Sequence, residues 1–151
     1  MSMEDQQISP KLFQGAWRLV DSYAQTDDGR RPFPLGEGTL GFVMYDDRGH
    51  MSAQLMSASR ESFSSRIPGE VQLEEFKTAY QGYTSYYGTY TLDVDKRMIT
   101  HHVEGSLAQS WVGGVQVRHF EFIDGRLILK TPLIRGSDGI KVVSTLTWER
   151  V

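Results

Sequence analysis

Short runs of two-residue alternation cover most of this chain, and few folds can accommodate that pattern. "GTYTLDV" (88–94) and "MITHHVEG" (98–105) flank Asp95-Lys96, and "VQVRHFEF" (115–122) and "RLILKT" (126–131) flank Asp124-Gly125. "IKVVSTLTWERV" closes the chain, and "GAWRLVDSYAQT" (15–26) carries the same rhythm near its start. In "TLGFVMYDDRGHMSAQLMS" (39–57) two such runs meet at Asp46-Asp47-Arg48-Gly49, where glycine supplies the positive φ of a tight turn. Successive strand side chains point to opposite faces, so each run reads as a half-buried strand. About eight strands result, mostly joined by hairpins, with no βαβ rhythm. If neighbours pair in order and the last strand pairs with the first, an eight-stranded antiparallel barrel closes and both edges vanish. A flattened sandwich with a solid core is the alternative.

Two segments depart from the rhythm. "DDGRRPFPLGEG" (27–38) holds two prolines and three glycines and reads as a long loop. In "QLEEFKTAYQGYTSYYG" (72–88), Leu73, Phe76, Ala79, Tyr80 and Tyr83 recur at spacings of three and four. That predicts one amphipathic helix of about three turns, ending before Gly88. Tyr80, Tyr83, Tyr86 and Tyr87 are then expected to pack the helix over the barrel. The irregular stretch 58–71 leads into it, so the helix is also a candidate lid.

Composition removes several classes of function. The 151 residues fit one domain: a barrel over 12–151 and a flexible arm over 1–11. There is no cysteine, so disulfides, thiolate metal sites and cysteine nucleophiles are out. Net charge is -3 and the basic residues are scattered, so no nucleic-acid partner is expected. No run approaches the ~20 apolar residues of a membrane helix, and no membrane partner is expected. The opening "MSMEDQQISP" lacks a basic-then-apolar run, which makes the cytoplasm the expected location. No G-x-S-x-G elbow, H-x-H, H-E-x-x-H or glycine-rich phosphate loop occurs. Neither metal nor cofactor is expected, and the assembly is read as a monomer or homodimer.

"GAWRLV", "YYGTYTLD", "HHVEGSLAQSWVG", "VRHFEF", "GRLILKT" and "LTWERV" together resemble the bacterial and fungal lipocalin-like domain family, over about residues 12–151. The resemblance implies an all-β, eight-stranded antiparallel lipocalin-like β-barrel, here with one inserted helix. It implies binding of a small apolar or amphipathic molecule and, since some members lie near biosynthetic genes, a place in secondary metabolism. Gly15-Ala16-Trp17 resembles the lipocalin Gly-x-Trp signature. By that likeness Trp17 plugs the closed end of the barrel, and Arg150 packs across it, with Arg118 as a second candidate.

Alternation leaves the strand phases open. If even positions face inward, His102 and Glu104 enter the cavity, ~7 Å apart at their origins, and can act as an oriented general base. If odd positions do, His101 is a polar anchor in an apolar wall. Arg118 lies with Phe120, where a buried guanidinium demands an acceptor and can clamp an acid group. Tyr90 is placed to donate to a ligand oxygen, and Trp111 to shield a rim. The candidate lining is thus Phe42, Met44, Leu55, Tyr90, His101, His102, Arg118, Trp111 and Trp148. The candidate catalytic set is His102, Glu104, Tyr90 and Arg118, for an isomerase, cyclase or dehydratase free of cofactors. A purely structural or protein-interaction module is the third reading.

Overall fold

The computed structural model describes residues 7–135 and 138–151. A short helix α1 (Pro10–Phe13) precedes strand β1 (Gly15–Thr26). Strands β2 (Leu40–Tyr45) and β3 (His50–Met56) form the first hairpin, and helix α2 (Leu73–Gln81) follows. Then come β4 (Tyr83–Asp93), β5 (Met98–Ser106), β6 (Val115–Ile123), β7 (Arg126–Lys130), β8 (Ile134–Arg135) and β9 (Lys141–Arg150). The sheet order is β1-β2-β3-β4-β5-β6-β7-β9, and β9 pairs back onto β1 along nearly its full length. Every pairing is antiparallel, so eight strands close into a barrel and the two-residue β8 is a short addition on β9. The first six residues of the expected N-terminal arm lie outside the described residues. α1 packs Phe13 fully into the core.

The turns follow their residue types. Asp124 (φ 51) and Gly125 (φ 77) both take the left-handed conformation that a two-residue hairpin matched to strand twist requires. In the β2–β3 turn the Asp46 carboxylate accepts the backbone N–H groups of Arg48 and His50, at 2.9 and 2.7 Å. These hydrogen bonds, that of His50 foremost, hold its carboxyl below the usual range.

Three features depart from the sequence expectations. First, a register shift between Leu19 and Asp21 inserts a bulge in β1. The inward face is odd before it (Trp17, Leu19) and even after it (Ser22, Ala24), so Asp21 and Tyr23 do not share the face of Trp17 and Leu19 that unbroken alternation over 15–26 gives them. Tyr23 instead lies outside under the Arg31 guanidinium, 4.1 Å from its ring centre. Second, helix α2 stops at Gln81 and strand begins at Tyr83. Tyr86 lies inside the barrel rather than beneath the helix, and Gly88 is a mid-strand residue rather than a helix terminus. Third, α2 buries none of its residues: Leu73, Phe76 and Tyr80 stay exposed.

The connections divide by length. The β2–β3, β4–β5 and β6–β7 turns are tight, and they lie at the end where α1 enters. The longer β1–β2, β3–β4, β5–β6 and β7–β9 connections all fall at the opposite end. At the tight end Trp17, Phe13, Phe120 and Leu127 are fully buried, and Phe13 meets the rings of Tyr45, Phe120 and Phe122 edge-on at 4.9–5.7 Å. That end is solid. The open space lies in the other half.

Candidate ligand cavity

Inward alternation delivers the cavity wall from all eight barrel strands. Val43 of β2, Ala53 and Leu55 of β3, Leu129 of β7, and Leu146 and Trp148 of β9 supply its apolar surface. Tyr86, His101 and Arg118 supply the larger polar groups. Pro34, Leu35 and Thr39 of the β1–β2 loop and Trp111 of the β5–β6 connection form its upper part. The cavity volume is about 350 Å³, within the range of small-molecule sites. The long loop reaches this position because it stays tied to β1: the Ala24 N–H donates to Pro32 O at 2.8 Å and the Thr26 N–H to Arg30 O at 3.0 Å.

A three-residue chain of hydrogen bonds crosses the interior. His101 Nε2 lies 2.8 Å from the Tyr45 hydroxyl, and Nδ1 lies 2.8 Å from the Tyr86 hydroxyl. All three side chains are buried. Burial, then the Arg118 charge, depresses the His101 pKa to about 3, so the ring is neutral at physiological pH. Burial likewise raises both phenols, that of Tyr45 far above its ordinary value, so both keep their protons. A neutral imidazole donates once and accepts once. One phenol therefore donates to the ring, and the other accepts from it.

Two further groups on the wall have unspent hydrogen-bonding capacity. The Trp148 indole N–H is buried and has no acceptor among the described residues. Arg118 donates to its neighbour Val117 O at 2.8 Å and to Gln116 Oε1 at 3.3 Å, but forms no ion pair among the described residues. Among the described residues the wall carries no Asp or Glu.

The family model of the lipocalin-like domain matches residues 14–151, nearly the entire described barrel. The chain belongs to the lipocalin-like domain family. No curated protein matches it. In this lipocalin-like barrel Trp17 and Arg150 meet at the closed end as the sequence resemblance implied. The Arg150 guanidinium sits 4.2 Å from the Trp17 ring centre and donates to the Leu12 and Gln14 carbonyls, while the Trp17 N–H donates to Phe13 O at 2.8 Å. Arg118, the second candidate for that role, is in the cavity instead.

The lipocalin-like barrel sorts the remaining residues singled out from sequence. Leu55, His101, Trp111, Arg118 and Trp148 reach the cavity. Phe42 and Met44 do not: β2 turns Val43 and Tyr45 inward, leaving both exposed. His102 also points outward, with Nε2 3.0 Å from the Thr91 hydroxyl, and Glu104 is exposed beside it. Tyr90 is inward but below the cavity, where its hydroxyl donates to Asp46 O at 2.9 Å. The suggested catalytic group of His102, Glu104, Tyr90 and Arg118 is therefore spread over three environments. Among the described residues no cluster of three or more His, Asp or Glu is placed to hold a metal ion. Among the described residues no helix is long and apolar enough to cross a membrane. Tyr45 and Tyr86 were not singled out as partners of a histidine, although "YYGTYTLD" puts Tyr86 two alternations from Tyr90, and that period marks it as inward.

Proposed function

We propose that this lipocalin-like protein binds one small, largely apolar molecule in the cavity at the open end of its barrel. The observation that carries this reading is a cavity of about 350 Å³ with mostly apolar walls, above a closed end filled by Phe13, Trp17, Phe120 and Leu127. A solid-core structural module has no need of such a void, which forfeits packing contacts. Burying apolar ligand surface contributes ~25 cal/mol per Å², from which the cost of immobilising the ligand is subtracted. Loop residues Pro34 and Leu35 and the Trp111 ring would cover the bound molecule. Helix α2 contributes nothing to the wall, so entry depends on the β1–β2 loop rather than on a helical lid.

Two measurements test this. The protein, gently purified, is examined by native mass spectrometry and then denatured to release any bound compound. In parallel it is titrated with 1-aminoanthracene, an uncharged dye that brightens in apolar sites. Saturable one-to-one brightening is expected, weakened when Ala53→Trp or Leu129→Trp fills the cavity. A dye response that those fillings leave unchanged in folded variants would place binding elsewhere and defeat the reading.

A further inference from the structure

We infer that the cavity selects an apolar molecule ending in a carboxylate, gripped by the Arg118 guanidinium, the Trp148 indole N–H and the Tyr86 hydroxyl. This rests on the reading that the cavity binds a ligand, and it specifies the class.

Each of the three groups arrives at the wall as a donor in want of an acceptor. Trp148 is the plainest case: its N–H is buried with no partner among the described residues. An unpaired buried donor forfeits the hydrogen bond that water gives it in the unfolded chain, and a ligand oxygen would restore it. Among the described residues Arg118 is the one charged side chain on the wall, and of its guanidinium's five N–H donors the Val117 and Gln116 oxygens take up only part. No carboxylate among the described residues of the wall answers its charge.

Tyr86 becomes a donor by proton arithmetic. The Tyr45–His101–Tyr86 chain contains two hydroxyl protons and one ring proton but only two hydrogen bonds. One hydroxyl proton must point elsewhere. If it belonged to Tyr45, it would be trapped in the packed end between the rings of Phe13 and Tyr90, with His101 its sole hydrogen-bond partner. If it belongs to Tyr86, it emerges at the cavity wall, where a ligand can accept it. The second arrangement avoids the unpaired buried donor. It puts the ring proton on Nδ1: Tyr45 donates to Nε2, Nδ1–H donates to the Tyr86 oxygen, and the Tyr86 O–H is aimed at the ligand. His101 is thus a positioning residue that makes Tyr86 a donor.

Three donors, one positive charge and no fixed anion among the described residues call for a monoanion with several acceptor positions. A carboxylate offers two oxygens and about four lone-pair sites. A doubly charged phosphate would leave one buried charge uncompensated. The Ser22, Thr84 and Ser144 hydroxyls on the wall donate or accept equally well, so they do not alter this polarity.

The test compares decanoate with decan-1-ol, which share a chain and differ at the head, as competitors of 1-aminoanthracene on the full-length protein at pH 7. Charge-assisted hydrogen bonds predict that decanoate binds about tenfold or more tightly. Arg118→Met should erase that preference and leave decanol binding within about twofold. Nitrogen–proton correlation spectra give a second readout that needs no variant. Decanoate should move the Trp148 indole resonance strongly and decanol should not, while Trp17, already bonded to Phe13 O, stays in place under both. Dye binding without a decanoate preference would overturn the carboxylate inference and leave the cavity reading standing. Failure of the dye and both competitors would overturn the two together.

Discussion

His101 carries a cost that depends on pH. In the folded chain it stays neutral down to about pH 3, whereas an unfolded histidine titrates near 6.5. Between those values the unfolded chain binds more protons, so stability falls as pH drops from 6.5 toward 3 and is unaffected by this group above 7. At 1.36 kcal/mol per pH unit, lowering the pH from 7.5 to 5 should remove about 2 kcal/mol. Urea unfolding at the two pH values should show that loss in the native chain and a clearly smaller one in His101→Gln, which still offers a donor and an acceptor to the two phenols. Equal losses would mean that His101 is not buried neutral. The same residue marks a limit of sequence reading. His101 and His102 were both visible as candidates: "MITHHVEG" puts Ile99 and Val103 on the His101 face and Met98, Thr100 and Glu104 on the His102 face, a lean toward the odd phase that still left room for a polar cavity wall. The fold resolves it: Tyr45 from β2 and Tyr86 from β4 bring their hydroxyls to the buried His101, while His102 turns outward to the Thr91 hydroxyl.

At the level of elements, strand and turn positions were legible wherever local chemistry set them. Gly49 and Asp124-Gly125 ended their strands where expected, and β1 spans the stretch read as a strand. The beginning of β4 was not legible, because tyrosines at 80, 83, 86 and 87 satisfy helical and strand spacings together, and sheet pairing with β3 decides the matter. Bulges were also hidden, because a bulge is a relation between two strands. The one in β5 sits opposite Gly88: the register jumps from Tyr87–Gly105 to Gly88–Val103, and a Cβ on Gly88 would fall 1.8 Å from the His102 carbonyl oxygen. Gly88→Ala should therefore force the backbone apart and cost about 3 kcal/mol or more, against little change for Gly69→Ala, where a Cβ meets nothing within 4 Å. Thermal unfolding of the two variants compares them directly, and a mild Gly88→Ala would show that the strands approach less closely. Glu75 holds another element in place. Its carboxylate accepts the Gln72 N–H at 2.9 Å and the Ser64 N–H and hydroxyl at 2.7 and 2.9 Å, binding the 58–71 stretch to α2. Glu75→Ala should make that stretch several-fold more susceptible to limited proteolysis while leaving 1-aminoanthracene affinity unchanged, because α2 does not line the cavity. A matching fall in affinity would restore the helix as a lid.

Across the whole molecule, the barrel separates what holds it together from what it presents to a ligand. Tight turns, α1, Phe13, Trp17 and Arg150 gather at one end, while long connections and the cavity occupy the other. The closed barrel could be anticipated because eight alternating runs with short turns leave few ways to remove sheet edges. The division between ends follows from connection lengths that alternate along the chain. That division makes the two arginines opposites. Arg150 donates to two carbonyls, those of Leu12 and Gln14, and stacks on Trp17, so Arg150→Met should lose about 1–2 kcal/mol and lower Tm by several degrees. It should leave dye affinity intact, because none of its contacts touches the cavity. Arg118 donates only to near neighbours on its own strand and has no ion-pair partner among the described residues, so Arg118→Met should change Tm little while altering what the cavity accepts. Melting curves and dye titrations on the two variants give four numbers. If Arg150→Met weakens binding as much as it lowers Tm, the barrel behaves as one cooperative unit, and the closed end shapes the cavity as well as sealing it. If the effects separate by end, ligand specificity can change at the open end without a penalty in folding.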